Sequence, residues 1–384
     1  MTSRIEQARA VHEWMVTHRR HLHQHPEVGL DLPETHDYVA GALRDLGLQV
    51  EMHPSAGITA RIAGTAPDGV VSVVRADMDA LPVNERTDLT FRSVRHGAMH
   101  ACGHDLHMAM LLGAAKILTQ KPPRRDTVLA FQPGEEADHG ALAVLGHHNL
   151  SFSQPATAFA LHVHATADPG AIWCRPGVFM SFGDWFTVDL AGPGGHASQP
   201  HLAGNPVEAA AEFTLRLRDL VSSLGEAEKV VATPTEHLIG NTVNVIPATG
   251  RVRGTIRTLS AERRTALIDG MHHLVDEVIA SRGLTGELTI HEGYPAVVND
   301  AEFIQRLETR LRDTTLGPQV TAMPEPSMVI EDFAYFLQRW PGAMVYLGAR
   351  GPGNTSFNHA DDVIYDEEAL VTGAALHLLA ADGI

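Results

Sequence analysis

A chain of 384 residues, 44% hydrophobic and 20% charged, has room for a large core and for two domains. A formal charge of −17 without any basic stripe argues against nucleic acid as a partner, and no apolar run approaches the ~18 residues that would cross a membrane. Two cysteines are too few for a disulfide framework, and the N-terminus lacks the apolar stretch of a secretory signal, so a cytoplasmic protein with free thiols is expected.

Residues 4–24 carry apolar side chains at helical spacing, and HPE at 25–27 ends that run. A second helix is expected over Leu32–Leu48. GITARIAG (57–64) and VVSVVRADMDALP (70–82) read as strands, the second a nearly continuous apolar run of the kind buried on both faces. Asp77 and Asp79 fall where that strand should end, and in open α/β sheets ligands bind in the crevice beyond the strand ends.

Met99–Met108, MHACGHDLHM, places three imidazoles, a thiol and a carboxylate beside a glycine and ahead of a helix expected over Leu106–Thr119. Cys102 and His104 share one parity, so in an extended approach to the helix both side chains point the same way, to grip one ion or to hold one each of two. A lone Cys is more often a small hydrophobe, but so many donors seldom crowd a helix start for packing alone. Asp105 is placed either to cap the helix or to orient a ligand imidazole. TVLAFQP (127–133) is a further buried strand that delivers Glu135 and Glu136 to the same region. Adjacent side chains diverge on an extended chain, so one glutamate can hold metal while the other stays free as a base. ATAFALHVH (156–164) ends with His162 and His164.

The texture then changes. Strand (185–190), helix (206–224), strands (229–231 and 237–247), strand (251–259), helix (261–282) and strand (288–292) give a β-α-β-β-α-β order, the split βαβ plan of a ferredoxin-like domain. The α/β pattern resumes with MVYLGA (344–349) and a helix over 367–379, so this segment reads as an insertion.

Asp77, Asp79, Cys102, His104, Glu135, Glu136, His162 and His359 together offer enough donors for a pair of ions. Mixed S, N and O donors suit zinc, manganese, cobalt or nickel better than calcium or magnesium. Paired ions polarise a carbonyl and acidify water, and a neighbouring glutamate can move the water's proton to a leaving amine, which implies amide hydrolysis. A Cys102 thiolate nucleophile would leave the paired glutamates and dispersed histidines without a purpose, and no G-x-S-x-G motif is present.

RRHLHQHPEVG (19–29), RADMDALPVNE (75–85), MHACGHDLHM (99–108), FQPGEE (131–136), LHVH (161–164), GPGGHASQPH (192–201), NTVNVIP (241–247), RGTIRT (253–258), EDFAYF (331–336) and NHADDVIYDEEAL (358–370) resemble, in order, the signatures of the metal-dependent N-acyl-amino-acid amidohydrolases. These include hippurate hydrolases and hydrolases of auxin–amino acid conjugates, and are related to aminoacylase and dinuclear zinc carboxypeptidases. The resemblance implies a two-domain α/β protein: a mixed-sheet α/β/α zinc-peptidase-like catalytic domain (1–180 and 295–384) with an inserted ferredoxin-like lid and dimerisation domain (181–294). It implies that Cys102, His104, Glu136, His162 and His359 bind two divalent ions per subunit, Mn2+ or Zn2+ before Co2+ or Ni2+, and that Glu135 is the general base and then acid. Asp79 would orient or support a ligand, His196 would reach a neighbouring subunit's active site to steady the oxyanion, and Asn244 and Arg257 would meet the substrate carboxylate or hold the lid. The implied substrate is a small N-acyl or N-aroyl amino acid, and the implied assembly a homodimer through the lid. A di- or tripeptidase or carboxypeptidase of the same clan is the alternative among enzymes, and a metal- or ligand-binding homologue that has lost activity is the alternative outside them. Two departures stand out: Ala360 and Asp361 follow His359 where the family often has Ser-Pro, and Ala137, Asp138 and His139 follow Glu136 where a glycine is usual. The extra acid at 361 is expected to alter the pocket's polarity.

Overall fold

Strands with no polar face need cover on both sides, and Val71–Asp77, Thr127–Gln132, Ala156–His164 and Gly342–Gly348 are buried almost throughout. In the computed structural model, which describes residues 3–136, 138–147, 150, 154–225, 229–312 and 314–384, these four lie side by side and parallel at the centre of a mixed eight-stranded sheet. Val71–Asp77 sits between Thr127–Gln132 and Ala156–His164, so the chain leaves it first to one side and then to the other, and the strand C-termini face a common crevice there. The sheet belongs to a unit of residues Met1–Phe179, Val298–Glu325 and Asp332–Ile384.

Helix His104–Gln120 is buried around nearly its whole circumference and packs on helices His12–Gln24 and Ala369–Ala381. A side chain at Gly113 would run into Met15, and one at Gly373 into Met110, so bare backbone at these points lets the helices close on one another. The expected helix over 4–24 is two helices, Arg4–Ala10 and His12–Gln24, broken at Val11.

The second unit comprises Met180–Val297 and Pro326–Glu331. Its antiparallel sheet runs in the order Val231–Ile239, Thr249–Thr258, Phe182–Ala191, Thr285–Tyr294, with helices Pro206–Ser223 and Ala261–Ser281 in the connections, which is the β-α-β-β-α-β order. The expected strands 229–231 and 237–247 are instead one edge strand, Val231–Ile239, and a separate short strand, Val245–Ile246. Pro234 lies within that edge strand, where a proline is tolerated, and the register shifts between Pro234 and Glu236. Among the described residues no helix is long and apolar enough to cross a membrane.

Candidate metal centre

The apolar strand Val71–Asp77 ends in acids, and each oxygen of Asp79 accepts a backbone N–H, from Glu135 at 2.9 Å and from Glu136 at 3.0 Å. Both glutamates lie in a turn rather than on extended chain, so they do not diverge as expected: a carboxylate oxygen of each lies within 4.8 Å of the other and of a His104 ring nitrogen. Asp79 therefore fixes the turn that aims the two carboxylates. Its main-chain carbonyl also accepts from His104 Nδ1 at 2.8 Å, which leaves His104 Nε2 as the free lone pair.

Gly103 caps the helix that His104 opens, with φ at +91°, and a Cβ there would approach Val163 Cγ2 to 2.3 Å. Asp105 neither caps the helix nor orients a site imidazole. Its Oδ2 accepts from Arg19 Nε at 2.8 Å and from His23 Nδ1 at 2.9 Å, tying helix His12–Gln24 to the start of helix His104–Gln120.

His162 Nδ1 donates to the carbonyl of Val163 at 2.8 Å and turns Nε2 to within 3.3 Å of Cys102 Sγ. His359, whose backbone has φ of +74°, places Nε2 3.2 Å from the same sulfur and 3.3 Å from Glu136 Oε1. Cys102 thus belongs to two sets of three donors, one with His104 and His162 and one with Glu136 and His359, each set within 4.8 Å. All five sequence-predicted ligands converge, together with Glu135 and Asp79.

Electrostatics agree with a site built for cations. Burial pulls the His104 and His162 imidazoles down to the neutral, ligating form. Burial, and then the carboxylates of Glu136, Glu135 and Asp77, push the Cys102 thiol up. Burial opposes charge on Glu136, but hydrogen bonding to His359 and the neighbouring His104 hold its pKa below the ordinary value. His104 Nε2 is buried and has no hydrogen-bond partner among the described residues, an arrangement that is costly unless a cation satisfies it. The soft sulfur, three imidazoles and carboxylates fit transition-metal ions in this position.

Asp77, counted among the donors in sequence, has both oxygens engaged: Arg75 Nη1 donates to Oδ2 at 2.6 Å and His107 Nδ1 to Oδ1 at 2.6 Å. The N–H of Val163 donates to His107 Nε2 at 2.9 Å, so the proton of this imidazole sits on Nδ1 and neither nitrogen is free to ligate. Arg75 also bonds Gln132 and Asp332, completing a buried network beneath the site. These supports were missed in sequence, although a polar residue inside an apolar strand, such as Arg75, is their visible signal. Asp361, expected to alter the pocket's polarity, is exposed and paired with Arg86 at 2.5 and 2.8 Å, so its charge is taken up there. Ala137 lies outside the described residues.

His196, Asn244 and Arg257 lie in the second unit. Strand Gly195–His196 pairs with Val245–Ile246, and Ala197 N donates to Asn244 O at 3.1 Å, so the exposed His196 and Asn244 are neighbours. Arg257 is half-buried on strand Thr249–Thr258, where Nη1 donates to Ile256 O at 2.8 Å and contacts Thr255 Oγ1.

A sequence profile described as peptidase family M20/M25/M40 matches residues 73–382. An N-acetyl-L-cysteine deacetylase of Bacillus subtilis is 33% identical over 360 residues, covering 92% of this chain and 84% of that one. An N-acetyldiaminopimelate deacetylase of Anoxybacillus flavithermus is 35% identical over 342 residues, covering 87% and 88%. Among solved structures, the Bacillus subtilis YXEP protein, described as a dinuclear metal binding peptidase of the M20 family, superposes with a TM-score of 0.83 at 30% identity over 97% of this chain and 98% of that one. With the profile spanning most of its length and relatives above 30% identity along it, the chain belongs to peptidase family M20/M25/M40, as the ordered motifs implied.

Proposed function

We propose that this protein hydrolyses the amide bond of N-acyl or N-aroyl amino acids, releasing a carboxylate and an amino acid. The observation that carries the reading is the pair of donor triads sharing Cys102, with the Glu135 carboxylate beside them. In this reading Cys102, His104, Glu136, His162 and His359 hold two divalent ions, manganese or zinc before cobalt or nickel. Such ions, when bound, supply Lewis acidity to the scissile carbonyl and lower the pKa of the attacking water.

Glu135 takes the proton of that water and returns it to the leaving nitrogen, so that the amine departs neutral. Asp79 keeps the Glu135 turn in place through the two backbone N–H groups it accepts. The relatives named as deacetylases of N-acetylcysteine and N-acetyldiaminopimelate support an N-acyl amino acid as substrate. His196 is assigned to the oxyanion of a neighbouring subunit's substrate, and Asn244 and Arg257 to the substrate carboxylate or the lid. The second unit is then a lid that also joins two copies into a homodimer.

The test is Glu135→Gln assayed on a panel of N-acyl amino acids and free dipeptides with metal content measured alongside. The expected result is a loss of kcat of roughly 10²–10⁴-fold with two ions retained. Full turnover by the variant would remove Glu135 from the proton transfer, and a wild type that cleaves only dipeptides with free amines would replace the acyl substrate by a peptide.

A further inference from the structure

Asn358 precedes the proposed ligand His359, and its one side-chain amide reaches three main-chain groups on two segments of the chain. Oδ1 accepts from Ala165 N–H at 3.0 Å, while Nδ2 donates to Cys102 O at 3.2 Å and to Val163 O at 3.0 Å. Each partner is a main-chain group with a fixed role, one donor and two acceptors, and the terminal amide is the short side chain that answers all three. The Val163 carbonyl it touches is the one that accepts from His162 Nδ1, and so sets where His162 Nε2 points. The Cys102 carbonyl it touches belongs to the residue whose sulfur both donor triads share.

Two further bonds close the frame. His359 N–H and Tyr365 O–H both donate to Ala101 O at 2.9 Å, which pins the turn before Cys102 to the C-terminal loop. His359 itself sits at φ of +74°, a conformation that a non-glycine residue holds only when its surroundings impose it.

We propose that Asn358 is a positioning residue that sets the mutual geometry of Cys102, His162 and His359, and through them the affinity and coordination of the metal centre. The assignment rests on the ligand set given above under the proposed function. It concerns how tightly the segments bearing the ligands are referenced to one another, because no other described side chain bonds to the backbone of both Cys102 and Val163.

Asn358→Asp is the informative variant. It keeps the volume and the acceptor for Ala165, but turns a second oxygen toward two carbonyls where a donor stood. Chelator-stripped wild type and variant are titrated with Co2+ against a competing chelator, following the visible ligand-field bands and the thiolate-to-cobalt absorption, and melting curves of the metal-free proteins are recorded. The expected result is Co2+ binding weakened by about 10–100-fold, with altered visible bands per bound ion. Asn358→Ser, whose shorter hydroxyl withdraws the amide without turning an oxygen on the two carbonyls, should fall between wild type and Asn358→Asp, and carries the same test should the aspartate variant fail to fold. A purely structural brace would lower the metal-free melting temperature while leaving affinity and spectrum at wild-type values, and that result overturns the proposal. Wild type that takes up no Co2+ would overturn the ligand set and this assignment with it. Wild type that binds two ions, matched in affinity by both variants, overturns this assignment alone.

Discussion

At the scale of single residues, the site depends on which buried polar atoms are satisfied and which are left open. His107 and His104 lie in one helical turn, yet Asp77 and the Val163 amide consume both nitrogens of His107 while His104 keeps Nε2 unpartnered. Hydrogen bonding, not the residue type, separates a structural imidazole from a candidate ligand. Beneath them the Arg75 guanidinium compensates two carboxylates, Asp77 at 2.6 Å and Asp332 at 3.0 Å, all three fully buried. Arg75→Met would keep much of the volume but strand two acids away from water. Loss of about 3–5 kcal/mol in stability is expected, read by urea unfolding of the metal-free proteins. A variant as stable as wild type would mean that the acids take up protons at little cost and that the network is not a keystone of the fold.

Elements matter here mainly through their ends. Four parallel strands deliver their C-termini to one crevice, and a helix begins in it, so residues far apart in sequence become neighbours by topology alone. Apolar runs make this legible: the strand Ala156–His164 and the helix expected from Leu106 follow directly from their apolar patterns. Glu135 and Glu136 were legible as a pair but not as a turn, since Asp79 makes that turn by accepting their amides and lies 56 and 57 residues away. The edge strand Val231–Ile239 differs from the expected pair of strands for a related reason, because whether Pro234 interrupts it depends on whether the strand has a neighbour on that side. The turn between strand and helix gives the element-scale prediction. Gly103 adopts φ of +91° between two proposed ligands, and a Cβ there would lie 2.3 Å from Val163 Cγ2, so Gly103→Ala adds both backbone strain and a clash. The His162 strand or the Cys102 turn must then move. Metal affinity is expected to fall at least tenfold with a smaller change in metal-free stability, and isothermal titration giving a wild-type constant would show that the turn has room to spare.

For the molecule as a whole, the sequence carried the order of the motifs and hence the family, but not the polar scaffold, whose members were read as parts of motifs with no contacts attached. One buried polar group stands outside that scaffold. His377, in the apolar helix Ala369–Ala381, is fully buried with neither ring nitrogen hydrogen-bonded among the described residues, and its ring meets Phe159 edge-on at 5.7 Å. Burial lowers its pKa to about 3. The unfolded chain, where histidine titrates near its ordinary 6.5, therefore binds the additional proton first as pH falls. The neutral ring contributes its full share of stability above pH 6.5, and that share drains away as pH falls from 6.5 toward 3. Replacing His377 by Leu removes the titrating group and two unsatisfied nitrogens while keeping an apolar side chain in the helix. Acid unfolding of the chelator-stripped protein, followed by circular dichroism so that metal release cannot shift the curve, should move its midpoint to lower pH in the variant, with neutral-pH stability unchanged or raised. An unchanged acid midpoint would mean that His377 finds a proton partner in solution and that carboxylates elsewhere in the chain set the acid limit.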